Sequence, residues 1–393
     1  MTESKHRWLT YYLFVTLAIS SIVSFEPSPY DLFMIVVVLL GFLFSLYIFT
    51  RETVFPLLVV CIFLLTNLLS LFFVKELGVS LKFTGITFYL AITWIGLMGL
   101  GHHLKQTDLQ FIMKGYLFSA LFAASIGILS YLHLLPGSEK YLMFGRAKAF
   151  FKDPNVFGPF LVMPALFALS MIEIRKNTAV VKSFYFIVFL ILTVGVVLSF
   201  SRAAWGNFII SLIIYLFIYK KEVIRKRFKT VLLLLLIGVP SILYFIQTPA
   251  VEDLLISRLS YQNYDNDRFD TQKAALLNGL KNPFGIGGGQ SEIAFQYSPH
   301  SLYARVFTEN GIVGLLSLFV LFSCSLHKSH QHFWRIKDQS SALYLVIFAS
   351  LVGLAFNSFF IDTLHWRYLW LVLALAWIPS SNKKQGEKRG LKT

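Results

Sequence analysis

A dozen apolar runs, each close to 20 residues long and joined by mostly short polar connections, constrain this chain more than anything else in it. About 20 apolar residues in a helix cross the ~30 Å hydrocarbon core of a bilayer. Inside that core a single segment satisfies its own backbone polar groups only as a helix. Spans are expected near residues 8–24, 31–50, 54–74, 83–101, 110–132, 156–173, 182–200, 203–219, 230–247, 302–326, 342–360 and 364–380. The sequence therefore predicts an all-α polytopic membrane protein with about 12 transmembrane helices, a single transmembrane domain over residues 1–393. Composition agrees: at 56% hydrophobic and 14% charged, a soluble chain of 393 residues could not cover its apolar surface. The first run begins near Trp8 and is long enough to remain as a span, so no cleaved signal peptide is expected.

The formal net charge of +15 would suit a nucleic-acid partner, but its distribution argues against one. Basic residues gather in alternate short connections, which is the signature of topology. With a cytoplasmic N-terminus, the inner connections hold Lys5 and Arg7, then Arg51, then Lys105, then Arg175, Lys176 and Lys182. They continue with a basic group at 220–229, then Lys328, Arg335 and Lys337, and end in a basic tail at 381–393. Both termini are therefore expected in the cytoplasm. Cys61 and Cys324 lie far apart in apolar runs and suggest neither a disulfide nor a metal site. His327, His330 and His332 fall in a basic inner connection and read as solvated.

Two connections exceed simple turns, at 133–155 and at 247–301 between the ninth and tenth spans, and both are expected outside. Long loops on a rigid scaffold are where binding groups tend to sit. Within the second, residues 270–280 (DTQKAALLNGL) have helical spacing, with Ala274, Leu277 and Leu280 on one stripe, and stop at Asn282-Pro283. A short helix on the outer surface is expected there. The following Gly285-Ile286-Gly287-Gly288-Gly289 has no Lys-Ser/Thr after it and no strand before it, so it is neither a P-loop nor a dinucleotide fingerprint. A sharp turn explains it first; a backbone phosphate cradle comes second.

The candidate site residues are the charged groups at the outer ends of the spans. Arg202, in Ser199-Phe200-Ser201-Arg202, stands at the junction of two spans with no acidic neighbour in sequence. A snorkelling interfacial arginine is the plain alternative, yet burying charge costs roughly 2.5–3.5 kcal/mol even on lenient scales, so such a group is paired or used. Its guanidinium fork matches phosphate bidentately. Arg268 opens the surface helix among Asp265, Asp267 and Asp270, where a solvated salt bridge is the ordinary role. The Asp-x-Asp pattern there is too weak to imply a metal, and no metal or cofactor is expected. His300 stands at the outer mouth of the tenth span, and histidine can take a proton near neutral pH. On that span Arg305 and Glu309 are four apart and are expected to pair. Arg146 is a further candidate for an anionic ligand, beside Asp153-Pro154-Asn155, which reads as a turn and helix start with Pro154 at the first helical position. Asp153, Asn155, Tyr303, His365 and Arg367 are candidates to line the same cavity.

Taken in order, residues 150–158 (FFKDPNVFG), 199–205 (SFSRAAW), Arg268 through Asn282-Pro283-Phe284-Gly285-Ile286-Gly287, and His300 through Glu309-Asn310-Gly311 resemble the O-antigen ligase and polysaccharide polymerase family of bacterial envelopes. The resemblance covers residues 140–315. It implies a C-type glycosyltransferase fold in the bacterial cytoplasmic membrane with an extracytoplasmic site. The implied donor is a glycan on undecaprenyl diphosphate; the implied acceptor is a glycan or lipid-linked glycan. By motif, Arg202 and Arg268 would bind the diphosphate and His300 would be the base on the acceptor hydroxyl, in a metal-independent, inverting transfer. The family often has Asn after the histidine, where this chain has Ser301. A compact chain with no extra domain for a lipid A core acceptor favours polymerase over ligase. The competing class is a lipid-linked oligosaccharide transporter or flippase, which favours related halves and broken helices at midplane; the sequence displays no such symmetry, and its charges gather at the outer end.

Overall fold

The computed structural model describes residues 3–174, 176–218, 263–295, 298–336 and 341–379, with isolated positions 227, 232, 236, 238, 240 and 256. Apart from those positions, the expected ninth span (230–247), the first part of the long outer loop and the tail at 381–393 lie outside the described residues.

The described helices are α1 (Glu3–Ala18), α2 (Pro29–Leu43), α3 (Arg51–Ser70), α4 (Leu77–Gly101), α5 (Gln106–Tyr131), α6 (Pro154–Glu173), α7 (Ala179–Leu198), α8 (Arg202–Phe217), α9 (Asn263–Lys281), α10 (Ser291–Ala294), α11 (Leu302–Arg335), α12 (Ser341–Asn357) and α13 (Arg367–Leu375). Among the described residues, six helices are long and apolar enough to cross a membrane: α3 with the short 3-10 turn that extends it to Phe73, then α4, α5, α6, α7 and α11. The chain is thus an all-α membrane protein. Helices α2, α8 and α12 are apolar but shorter; the 16 residues of α8 reach about 24 Å at 1.5 Å per residue. The expected last span, 364–380, contains only the nine-residue α13, because turns occupy both of its ends.

Packing gathers one set of helix ends. Helix α6 lies against α7 and α8, α11 against α3, α12 against α8 and α11, α1 against α5, and α13 against α4. Helices in lipid gain little from burying apolar surface against each other, so close approach through small residues takes over. At Gly158 of α6 an added Cβ would lie 2.6 Å from Ser199 Oγ and 2.7 Å from Ala204 Cβ, so only glycine lets α6 reach the α7–α8 junction. The start of α11 is tied to the end of α12 by Leu302 N–H donating to Ser358 O at 2.9 Å. Each of the three N-termini brought together carries its own cap. Asp153 accepts from Asn155 N–H at 2.6 Å, Ser201 from Ala204 N–H at 3.3 Å and Ser301 from Ala304 N–H at 3.4 Å. Pro154 opens α6 as expected.

Three local expectations change. The first long connection holds a two-stranded antiparallel hairpin, β1 (Leu142–Met143) and β2 (Arg146–Ala147). Phe144 and Gly145 turn it at φ 51° and 72°, the positive-φ pair that two-residue hairpins need. Secondly, α11 continues to Arg335, so His327, His330 and His332 are helical; His332 is buried, its ring edge-on to Tyr344 at 4.9 Å. Thirdly, the surface helix α9 buries Thr271, Ala275 and Gly279, whereas Leu277 and Leu280 of the expected stripe are exposed. The small residues win because α9 packs on α11, where Thr308 Oγ1 donates to Ala275 O at 2.6 Å and Phe307 fills the space over Gly279.

The glycines make the sharp turn expected of them, with φ of 83° at Gly285, 101° at Gly287 and 74° at Gly289. Helix α11 is interrupted at Gly311 (φ 72°, ψ −172°), which leaves carbonyls of its first half without helical partners. Ile286 N–H donates to Thr308 O and Gly287 N–H to Glu309 O, both at 3.0 Å, and Ile312 N–H returns to Pro283 O at 3.3 Å. The glycine-rich segment therefore plugs a helix break, and those amides are spent on protein carbonyls instead of cradling a phosphate.

Candidate functional site

A cavity of about 600 Å³ opens at the end of the bundle where α6, α8 and α11 begin. Arg146, Asp153, Asn155, Arg202, Asp267, Arg268, Gln272 and His300 supply its polar walls, with Phe144, Phe200 and Phe360 among the apolar ones. Residues far apart in sequence meet here: Asp153, Asn155, Arg202 and His300 stand at or just before helix starts, Arg146 comes from the hairpin, and Asp267, Arg268 and Gln272 from within α9.

Electrostatically the cavity favours an anion. Among the described residues, three arginines face two aspartates, and the Asp153 carboxylate is committed to capping α6. The N-terminus of each of α6, α8 and α11 adds the equivalent of roughly half a positive charge, in the arrangement that binds phosphate elsewhere. The arginines differ in burial. Arg146 is buried and fixed: Nε donates to Ser199 O and Nη2 to Asn155 Oδ1, each at 2.9 Å. Arg202 is exposed at the mouth. Arg268 is half-buried and donates through Nη2 to Phe360 O at 2.8 Å.

His300 is half-buried, and its backbone carbonyl accepts from Gln272 Nε2 at 3.4 Å. Burial holds its pKa below the ordinary histidine value; the neighbouring charges of Arg268 and Arg305 push the same way, against Asp153 and Asp362. The ring is thus neutral at neutral pH and can accept a proton. Its φ of 44°, with φ 46° at Phe200 and 51° at Phe144, puts three cavity-lining non-glycine residues in the left-handed region. Such conformations cost of order 1–3 kcal/mol each and collect at functional sites.

Arg305 lies behind this cavity. It pairs with Glu309 at 3.3 Å as the spacing implied, and also with Glu292 and Asp362, each at 2.9 Å, while Nη2 donates to Ser298 Oγ at 2.8 Å. Glu309 in turn accepts from Gly289 N–H at 2.9 Å and Ser291 N–H at 3.2 Å. One buried cation thereby fixes the helix break, the glycine-rich segment and the turn after α12. Gln290, absent from the sequence reading, completes the anchor: Oε1 accepts from Lys75 and Glu76 N–H, and Nε2 donates to Glu76 O and Ser80 Oγ.

Three candidate lining residues belong elsewhere. Tyr303 does not reach this cavity; its hydroxyl donates to Ala355 O at 2.8 Å and its ring stacks on Phe319. His365 and Arg367 line a second cavity of about 200 Å³ instead, next to Glu26 and Lys152. There Arg367 is held bidentately by Asp31, at 2.6 and 2.7 Å, and His365 Nε2 lies 2.9 Å from Thr87 Oγ1. A carboxylate at the head of an apolar run (Asp31) was the available signal for a partner, but its identity 336 positions away was not readable.

Residues 187–319, which include Arg202, Arg268, the glycine-rich segment, His300 and the helix break, match the O-antigen ligase family. No curated protein matches the chain.

Proposed function

With residues 187–319 supporting the O-antigen ligase and polymerase family, we propose that the protein transfers or polymerises glycans from an undecaprenyl-diphosphate-linked donor at the extracytoplasmic face of the bacterial cytoplasmic membrane. The observation that carries this reading is the meeting of Arg202, Arg268 and His300 in one cavity built on three helix N-termini.

In the proposed reaction His300 accepts the proton of an acceptor hydroxyl as its oxygen attacks the anomeric carbon of the donor. The bond from that carbon to the diphosphate oxygen breaks, and the lipid diphosphate leaves with the bonding pair. Arg202 and Arg268 stabilise the charge that grows on it, a task for which preorganised cations in a partly dry site are suited. Attack from the face opposite the leaving group inverts the anomeric centre, and no step calls for a metal. Arg146 positions the floor through Ser199 and Asn155. A polymerase acceptor would itself be a lipid-linked glycan; a ligase would use the same donor steps.

The test is to supply the purified protein in vesicles with a lipid-diphosphate oligosaccharide. New glycosidic bonds and released lipid diphosphate are expected. Movement of the substrate across the bilayer without new bonds would establish the transporter reading instead.

A further inference from the structure

A larger cavity, about 740 Å³, lies at the opposite end of the bundle, separated from the first by the length of α5, about 39 Å at 1.5 Å per residue over 26 residues. This is the end that the distribution of basic residues assigns to the cytoplasm. Its walls come from the starts of α3 and α5 and the ends of α4 and α11. Among the described residues, Arg51, Lys105, Lys328 and Arg335 face it with a single carboxylate, Glu52, which already pairs with Lys328. The charge balance and two helix N-termini favour an anion.

Independent support comes from polar atoms left over in the walls. His332 is only 4% exposed, and its Nδ1 has no hydrogen-bond partner among the described residues; Gln106 Nε2, also in a wall, is likewise buried without one. Buried polar atoms are nearly always satisfied, so two unpaired ones in the walls of a cationic cavity mark hydrogen-bonding capacity that a polar headgroup can use, and the Gln106 amide can only donate. The neighbouring surface indicates what carries the anion. A groove of about 300 Å³ shares Glu52, Lys328, Arg335 and Trp377 with the cavity and continues along α3 and α11 over exposed Phe55, half-buried Cys324 and the buried Pro56 beneath them. A charged head thus has an apolar track beside it, directed along the membrane-spanning surface.

We propose that this cavity binds the phosphate headgroup of an anionic phospholipid, with one acyl chain in the adjoining groove. Basic pockets between membrane helices are suited to such headgroups. The site is separate from the transfer reaction and does not depend on it.

The test follows thermal unfolding of the full-length protein in neutral detergent. An Arg202→Gln/Arg268→Gln background silences the first cavity. Short-chain phosphatidylglycerol is expected to raise the midpoint by about 3–5 °C at saturating concentration. The shift should shrink at high salt and vanish when Arg51, Lys105 and Arg335, all exposed side chains, are changed together to Gln. Equal stabilisation by phosphatidylcholine or by inorganic phosphate, no stabilisation at all, or an undiminished shift in the triple variant would overturn the proposal.

Discussion

At the scale of single residues, the proposed transfer rests on His300 acting as the base. Burial and the cations Arg268 and Arg305 lower its pKa, so the neutral ring is the folded protein's form at neutral pH. A base in that state gives a rate that is level across neutral pH and falls only below the ordinary histidine range near 6.5. Replacing Arg268 by Gln removes one charge that opposes protonation, so the acid limb should move to higher pH; a limb that stays or moves lower contradicts the assignment. The arginines separate by a different measurement. Arg146→Met strips hydrogen bonds from Ser199 O and Asn155 and should cost about 1–3 kcal/mol of stability. Arg202→Met, at an exposed position, should stay within about 0.5 kcal/mol in denaturation while losing transfer. The sequence made these cations visible because charge beside apolar runs is rare. The Arg305–Glu309 pair was readable from its spacing, but the other partners were not: Asp31 claims Arg367, and Glu292 and Asp362 also share Arg305, through pairings that only the folded chain creates.

Among elements, the broken helix α11 and the segment that plugs it form the least replaceable unit. Gly285 (φ 83°) and Gly311 (φ 72°) face each other's strands of backbone, and a Cβ on either would run into a carbonyl of the other segment. The left-handed conformation alone costs a non-glycine residue roughly 1–2 kcal/mol, and the steric overlap adds to it. Gly285→Ala and Gly311→Ala should therefore each lower stability by more than about 2 kcal/mol, seen as a fall in the melting midpoint, whereas Gly78→Ala, which meets nothing nearby, should not. Helix starts such as Asp153-Pro154 were readable because capping is local. The burial of α9 was not: its leucines advertised an apolar stripe, but the neighbouring helix demanded small residues, and a contact between α9 and α11 has no local signal. The extension of α11 past its apolar run hid in the same way, since His332 reads as polar and is buried by packing against α12.

Over the whole molecule, hydrophobic runs recorded where helices lie, because lipid exposure acts on about 20 residues at a time. They did not record helix length or which ends converge. That convergence places three helix N-termini, Arg202, Arg268 and His300 around one cavity, and sets a second cationic cavity at the far end. Only the first contains residues of the O-antigen ligase match that were singled out as site residues. The most direct measurement is glycan transfer by the purified protein from a lipid-diphosphate oligosaccharide, with undecaprenyl diphosphate binding followed in parallel. His300→Gln should lower turnover at least about 100-fold with binding retained, and Arg202→Gln and Arg268→Gln should each weaken binding and turnover together. Wild-type turnover in all three variants would contradict the account.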